Sequence, residues 1–308
     1  MDFYRLSDTE LILLILAALY LFECVLWLAP GKSIFGASFG RPRCRVAHSA
    51  LSNDRGSFVL LGLAPWSKEF IVDATSIRDA DAAFDVEAAR ERYQEIRRVT
   101  GSLGFLCTLQ FSLVFILGPV LLYDPKVVIG GRTVWAYLLL CLCYWLFIIG
   151  LYWLAHRSLY REKMGERWKK TLMMLCSPGT AMRAATNVGM NAFDGFHPLT
   201  VACAICDPRE FQKQAAEAIR FAYFPAEAEE ADCPATFRDL LEAVARLGGV
   251  DPADVLKQPM ADPDALAWCR RCNGQSTTHD ETCPNCGSRH MVEFETPDDT
   301  PVGDLAKA

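Results

Sequence analysis

Residues 102–123 read SLGFLCTLQFSLVFILGPVLLY, an apolar run that contains no charged side chain. As an α-helix rising about 1.5 Å per residue, a run of this length covers a hydrocarbon core about 30 Å thick. Pro119 lies near the far end, where neighbouring helices can satisfy the backbone group that a proline leaves without a partner. The run therefore predicts a transmembrane helix over 102–123.

Two other runs have a similar length and composition: LILLILAALYLFECVLWLA over 11–29 and VWAYLLLCLCYWLFIIGLYWLA over 134–155. The first contains one charged residue, Glu23, and the second has Trp and Tyr toward both ends, as an interfacial belt does. The segment before the first run is acidic and no small-x-small cleavage site follows it, so we expect a retained anchor rather than a signal peptide. The predicted fold class is a mainly α integral membrane protein with three transmembrane helices.

The orientation follows from Lys and Arg, which concentrate on the cytoplasmic side of a membrane. Residues 1–10 and the short loop 124–133 contain few basic residues. We therefore expect these two segments outside, and the loop 30–101 and everything after His156 in the cytoplasm, most simply at a bacterial inner (plasma) membrane. The basic residues on the cytoplasmic side include Lys32, Arg41, Arg43, Arg45, Arg90, Arg92, Arg97, Arg98, Arg157, Arg161, Lys163, Arg167, Lys169 and Lys170.

Residues 269–290 read CRRCNGQSTTHDETCPNCGSRH and contain two C-x-x-C pairs. In a reducing compartment, paired thiols bind metal more often than they form disulfides. Each pair turns tightly enough to direct two thiolates at one ion, and the loop between the pairs lets them lie opposite each other, as tetrahedral zinc requires. We predict a zinc site, with iron in the same geometry as the alternative. The predicted ligands are Cys269, Cys272, Cys283 and Cys286, while His279 and His290 are expected to bind no metal.

Residues 266–293 resemble the zinc-ribbon, or rubredoxin-like, module in these four cysteines and in the Pro and Gly of CPNCG. The resemblance covers only this part of the chain, and it implies a small β-ribbon fold without implying an activity. Because cysteine would supply all four ligands, the zinc would be structural rather than catalytic. We expect metal binding to supply much of the folding free energy of this short module.

The segments between the apolar runs are less regular. Residues 38–75 favour a small strand-rich unit, with apolar runs at Phe58–Leu61 and Phe70–Val72 and an edge strand near Arg43–Val46. The other predicted segments are an amphipathic helix at 85–100, a cytoplasmic helical region at 156–262 with a helix capped by Asp207 and another near Ala235–Leu247, and a disordered tail at 294–308.

Other residues favour different functions. An acid inside a span is often functional, so Glu23 could serve an accessory subunit of a transporter, although a place near the interface is favoured. Cys203 and Cys206 form another C-x-x-C pair that could serve as a membrane thiol-redox site, although inert, packed thiols are favoured in so apolar a string. His156 and His197 lie in different segments without a ligand motif, and surface or capping roles are favoured for both.

The sequence contains no Ser-His-Asp set, HExxH motif or paired-carboxylate spacing that predicts catalysis. A net charge of −6 argues against general affinity for nucleic acid, although Arg270, Arg271 and Arg289 lie in the ribbon. The favoured reading is therefore a non-enzymatic, membrane-anchored docking, scaffold or regulatory protein. It would present a cytoplasmic zinc ribbon to a protein partner or within an oligomer, with the lipid bilayer as its other partner.

Overall fold

A computed structural model of the chain describes residues 8–28, 32–38, 41–45, 58–61, 68–73, 77–123, 131–160, 164–225 and 235–294. Most of these residues are helical, as predicted. The chain divides into an amino-terminal unit that ends at Glu210 and a carboxy-terminal unit that begins at Phe211. The predicted tail beyond residue 294, and most of the predicted outer segments 1–10 and 124–133, lie outside the described residues.

The amino-terminal unit contains most of the helices. They are α1 (Asp8–Glu23), α2 (Ala80–Ala83), α3 (Val86–Ser112), α4 (Gly118–Tyr123), α5 (Gly131–Leu159), α6 (Met164–Cys176), α7 (Pro178–Met182), α8 (Ala184–Gly189) and α9 (Pro198–Ile205). Its strands are β1 (Val25–Leu28), β2 (Lys32–Ser38), β3 (Arg41–Arg45), β4 (Phe58–Leu61) and β5 (Lys68–Asp73). The helix α10 (Pro208–Tyr223) leads into the carboxy-terminal unit, which contains α11 (Ala235–Leu247), α12 (Pro252–Leu256), β6 (Ala267–Cys269), β7 (Gln275–Ser276) and β8 (Met291–Glu293).

Among the described residues, two helices are long and apolar enough to cross a membrane. One runs over Val86–Leu121, where a π-helical turn joins α3 to α4, and the other runs over Trp135–Leu159 within α5. They contain nearly all of the predicted spans 102–123 and 134–155. The amphipathic helix predicted at 85–100 is the first part of α3, and the side chain of Asp85 caps it by accepting a hydrogen bond from the Ala88 N–H.

The helices α3 and α5 pack antiparallel. Residues nearer the amino terminus of α5 are bonded to residues with higher numbers in the helix that begins with α3. The side-chain donors and their backbone carbonyl acceptors are Arg92 to Leu159 (2.7 Å), Tyr144 to Leu106 (3.2 Å) and Tyr137 to Leu113 (2.6 Å). The last of these bonds adds a second donor to a carbonyl at the π-helical turn, which also accepts the Gly118 N–H.

The first predicted span, 11–29, differs from the observed structure in its second half. The helix α1 ends at Glu23, and Val25–Leu28 form β1, which pairs antiparallel with β4. At about 1.5 Å per residue, α1 is about 24 Å long, which is less than a hydrocarbon core of about 30 Å. The residues VLWL suit a strand as well as a helix, because a short apolar run has no periodicity that separates the two.

The direction of α1 is opposite to that of α3. The ring of Tyr20 lies 5.2 Å from the ring of Phe111, well inside the apolar part of α3. One turn later, Glu23 lies beside α7, where the Ala181 carbonyl is 3.6 Å from the thiol of Cys107. Moving toward the end of α1 therefore means moving toward the beginning of α3. The apolar helices α1, α3 and α5 alternate in direction.

The end of α1 is held by a polar cluster. The hydroxyls of Ser177 and Thr180 donate hydrogen bonds to the two carboxylate oxygens of Glu23, and the guanidinium of Arg183 donates to the Glu23 backbone carbonyl. A side chain at Gly179 would meet a Glu23 carboxylate oxygen at 3.2 Å, so the glycine permits this close approach. Glu23 therefore has a structural role in joining α1 to α7.

The strand-rich unit contains the predicted strands. Phe58–Leu61 form β4, the run Phe70–Val72 lies within β5, and the predicted edge strand overlaps β3, which lies at the edge of the sheet β3-β2-β5. The buried ring of Phe70 contacts the ring of Phe193 edge-on, with the ring centroids 5.5 Å apart. The sheet therefore packs against the segment that follows α8.

The carboxy-terminal helices begin where the sequence predicted. The Asp207 side chain accepts a hydrogen bond from the Arg209 N–H at 3.0 Å at the start of α10, and α11 covers Ala235–Leu247. A side chain at Gly248 would overlap the ring of Phe211, so the residue after α11 must be small. This contact packs the end of α11 against α10 within the carboxy-terminal unit.

We expect Glu23→Ala to destabilise the amino-terminal unit by about 1–3 kcal/mol, because the hydroxyls of Ser177 and Thr180 lose their part-buried carboxylate acceptor. The measurement is thermal unfolding of the purified protein in detergent. Glu87→Ala is the matched control, because Glu87 forms only an exposed ion pair with Arg90. Equal melting temperatures for Glu23→Ala and the unmodified protein would contradict this role.

Candidate metal centre

The four cysteine sulfurs of the ribbon converge. The ligand atoms of Cys269, Cys272, Cys283 and Cys286 all lie within 4.8 Å of one another. Two cross pairs are closer, with 3.7 Å between the sulfurs of Cys269 and Cys286 and 3.5 Å between those of Cys272 and Cys283. In a tetrahedron of thiolates about 2.3 Å from a zinc ion, the sulfurs are about 3.8 Å apart. The arrangement is thus within metal-binding distance, and it is too wide for disulfides, in which the sulfurs are about 2.0 Å apart.

The two C-x-x-C turns have the same local backbone. In the first, the Cys269 carbonyl accepts from the N–H of Asn273, and in the second, the Cys283 carbonyl accepts from the N–H of Gly287, each at 2.8 Å. Asn273 and Gly287 both have a positive φ, 59° and 70° respectively. Glycine and asparagine are the residues that adopt this conformation most readily. Each turn therefore presents its two sulfurs in the same way, which brings four thiols to one point.

A small sheet supports the turns. Its strand order is β7-β6-β8, with both pairings antiparallel, and β6 ends at the first ligand, Cys269. Trp268 and Ala267 are buried beside it. The observed module therefore agrees with a zinc-ribbon-like fold.

The thiols are not equivalent in acidity. A hydrogen bond from Cys272 lowers the pKa of Cys269 to about 5 and raises the pKa of Cys272. Burial raises the pKa of Cys286 to about 11. Metals bind thiolates, so the lowered pKa of Cys269 favours its binding a metal at neutral pH.

Two consecutive arginines anchor the first turn to α10 and the residue that follows it. The guanidinium of Arg271 lies 5.0 Å from the ring centroid of Phe221, and that of Arg270 lies 5.8 Å from the ring centroid of Phe224. Arg271 is only 3% exposed. On the second turn, His290 contacts the Pro225 carbonyl at 3.0 Å. The ribbon is therefore packed on a helix and does not rely on the metal alone, and two of the three arginines considered for nucleic acid make internal contacts.

The four histidines that the structure describes lie outside the thiol cluster. His279 forms an ion pair with Glu293 at 3.0 Å. In the amino-terminal unit, the buried His197 accepts a hydrogen bond from the Leu199 N–H at the start of α9, and burial lowers its pKa to about 3. His156 is buried and contacts the amino group of Lys170 at 3.5 Å, so it is not a surface residue.

The other C-x-x-C pair does not form a disulfide between its own members. Cys206 is disulfide-bonded, whereas Cys203 is a free thiol. Burial raises the pKa of Cys203, which makes it a weaker nucleophile at neutral pH. Cys141 and Cys143 of α5 are also free thiols, and neither belongs to a metal-binding group of the described residues.

Phe221 and Phe224 are contributors to the site that the sequence did not predict. Their positions at the end of an amphipathic helix are typical of ordinary core residues. The adjacent arginines between Cys269 and Cys272 were the available signal, since an arginine beside a metal-binding turn can stack on an aromatic ring.

No family model, curated protein or solved structure matches this chain.

We expect Cys283→Ser to reduce the metal content of the purified protein from about one ion per chain to near zero, because three thiolates hold a tetrahedral ion far less tightly than four. The measurement is elemental analysis by mass spectrometry. Cys176→Ser, at an exposed free thiol outside the cluster, should retain the metal. Metal retention by Cys283→Ser would contradict the assignment of the ligands.

Arg271→Ala should loosen the ribbon from α10 with a loss of about 1–2 kcal/mol, the range of a desolvated cation–π contact. Arg271→Lys should lose less, because the ammonium keeps its charge near the Phe221 ring. Hydrogen exchange of the Phe221–Pro225 amides reports the loosening. Unchanged exchange in Arg271→Ala would show that the contact does not hold the two parts together.

Proposed function

We propose that the chain is an integral membrane protein whose carboxy-terminal unit presents a zinc ribbon to a cytoplasmic protein partner. Its function is docking or scaffolding rather than catalysis. The observation that supports this most strongly is the four-thiol cluster, in which cysteine provides every ligand within metal-binding distance. Such a set leaves no position for a reactive water, and it stabilises a fold instead.

Membrane insertion is supported by the exposure of the apolar helices. Only 28% of the most apolar window in Val86–Leu121 and 22% of that in Trp135–Leu159 is buried. The core helix of a soluble protein would be mostly buried, and soluble proteins rarely expose large contiguous apolar surfaces. Large side chains exposed on these helices include Phe105, Leu109, Ile116, Leu138, Leu139, Leu146 and Phe147. Lipid acyl chains are the natural partners of such surfaces.

The proposed orientation has the amino terminus outside and the carboxy-terminal unit in the cytoplasm of a bacterial inner membrane. Basic residues support it, because they cluster in the loop 30–101 and after His156. The alternation of α1, α3 and α5 is compatible with three passages, in which the shorter α1 would require local thinning of the bilayer.

Zinc is the proposed metal. Thiolates are soft ligands, and tetrahedral sulfur sites bind zinc or iron. Zinc does not change oxidation state, which suits a site that supports a fold. The proposed role of the metal is to hold the two turns of the ribbon together while Arg270 and Arg271 hold the ribbon against α10.

The outer edge of β8 is the surface that we assign to the partner. In the described residues, β8 lies at the edge of its sheet. The Arg270 N–H donates to the His290 carbonyl and the Phe294 N–H to the Leu266 carbonyl, so the alternate residues Met291 and Glu293 direct their backbone groups toward the open side. A groove of about 440 Å³ follows this edge, and its charged lining consists of His279, Asp280, Glu281, Arg289 and Glu293. Carboxylates predominate, so an extended partner segment with basic side chains fits this edge.

A second candidate is thiol-redox activity, which the disulfide at Cys206 favours. Disulfides are rare in the cytoplasm, and those that form there are usually transient. The raised pKa of Cys203 opposes a role for this thiol as the attacking nucleophile. A mixed disulfide trapped at Cys206 in cells would support the redox function over docking.

The docking function is tested by affinity purification of tagged protein from gently solubilised membranes. We expect Cys283→Ser and Glu293→Lys to lose partners that the unmodified protein retains. Asp239→Lys is the matched control, because it introduces the same charge change on an exposed part of α11. Recovery of the same partners with Cys283→Ser would contradict docking through the ribbon.

A further inference from the structure

The segment from α6 to α8 packs against α5 and α3, and its contacts locate it along those helices. At the start of α6, the ring of Trp168 lies 4.8 Å from the ring of Trp153, near the carboxyl end of α5. Leu159 of α5 is bonded to Arg92 of α3, and Tyr144 of α5 is bonded to Leu106 of α3. Trp153 lies between Tyr144 and Leu159 in α5, so it is level with a part of α3 between Arg92 and Leu106. The beginning of α6 therefore lies at the same height along α3 as the basic residues Arg97 and Arg98.

The following short helix, α7, lies much deeper along α3. The carbonyl of Ala181 is 3.6 Å from the thiol of Cys107, and Met182 packs in a cluster with Phe111 and Phe115. From Arg98 to Cys107, the helix advances about 14 Å at about 1.5 Å per residue. Half of a hydrocarbon core is about 15 Å thick.

The chain then returns to its starting level. After α7, the Val188 carbonyl accepts a hydrogen bond from the hydroxyl of Tyr160, which follows α5. The Ala192 carbonyl accepts a hydrogen bond from Arg92 at 3.2 Å. The segment therefore enters and leaves at the same end of α3, with α7 at its deepest point.

The surface of α6 has the composition expected of a helix in lipid. Its buried side contains Arg167, Thr171 and Met174, while its exposed side is apolar except for Lys169 near its start. A helix facing water would show the reverse pattern. Its exposed cation, Lys169, lies in the first half, nearer the level of Arg97 and Arg98. The large exposed apolar side chains are Trp168 (55%), Leu172 (57%), Met173 (60%) and Leu175 (37%).

Polar groups in the deepest part bond to the end of α1. Breaks in a helix at membrane depth are tolerated only where protein or a water-filled cavity covers them. Here Ser177 and Thr180 donate to the Glu23 carboxylate, and Arg183 donates to the Glu23 carbonyl. Gly179, Ala181 and Met182 are buried. The acid at the end of α1 thus makes a polar turn possible between two apolar helices.

We infer that residues 164–189 form a re-entrant hairpin that dips into the cytoplasmic leaflet, with the exposed face of α6 in contact with phospholipid acyl chains. The inference rests on the proposed membrane location, and it adds the exposed face of α6 to the surfaces that contact lipid. Glu23 is the positioning residue of this hairpin.

The experiment uses the full chain reconstituted in phosphatidylcholine vesicles, with one fluorescent amino acid introduced by codon suppression. The test position is Leu172. Leu146, 48% exposed on α5, is the control for a residue in lipid, and Leu247, 72% exposed in the carboxy-terminal unit, is the control for a residue in water. Each sample is quenched separately by lipids brominated on the acyl chains and by iodide in the buffer.

We expect the label at position 172 to behave like the label at 146, with at least a twofold loss of fluorescence in brominated lipid and little loss with iodide. Adding Glu23→Ala should make the label at 172 more accessible to iodide without changing the label at 146. Iodide quenching at 172 like that at 247, with 146 still quenched by lipid, would overturn the hairpin alone. Iodide quenching at both 172 and 146 would overturn the membrane location, and the hairpin with it.

Discussion

The structure of the amino-terminal unit depends on the exposed apolar surface of α3 and α5. These helices bury little of their most apolar segments against protein, and hydrogen bonds from Tyr137 and Tyr144 join them. In water this surface would be unfavourable by roughly 25 cal/mol per Å² of apolar area. In a bilayer, lipid acyl chains cover this surface without that penalty. The polar groups of the helices must then form their hydrogen bonds within the protein. The bonds from Tyr137 and Tyr144 to carbonyls of α3 fit that constraint.

The carboxy-terminal unit depends on a different set of interactions. Its small sheet lies beside four thiols at one point, a site at which we expect a metal to supply part of the folding free energy. The stacking of Arg271 on Phe221 connects this site to a helix. The ribbon packs on a helix and has β8 at an edge of its sheet, which supports the proposed contact with another protein. Proposed membrane attachment and proposed docking therefore depend on separate parts of the chain.

Much of this arrangement could be predicted from the sequence, because strong local signals specify it. The two C-x-x-C pairs predicted the thiol cluster, and the apolar runs at 102–123 and 134–155 predicted the two long helices. The end of α1 could not be predicted, because VLWL after Glu23 suits strand and helix equally, and pairing with β4 decides between them. The partners of Glu23 were also hidden, since Ser177 and Thr180 are distant in sequence and carry no motif. Tertiary contacts alone bring them together.

The central claim is that one chain is inserted in a membrane and keeps its ribbon in the cytoplasm. Reporter fusions after Ala308 in a bacterial host test it most directly, with a fluorescent protein that matures only in the cytoplasm compared against an alkaline phosphatase that is active only outside it. We predict a fluorescent membrane fraction and an inactive phosphatase fusion. An active phosphatase fusion with no fluorescence would place the four thiols in an oxidising compartment and contradict the account.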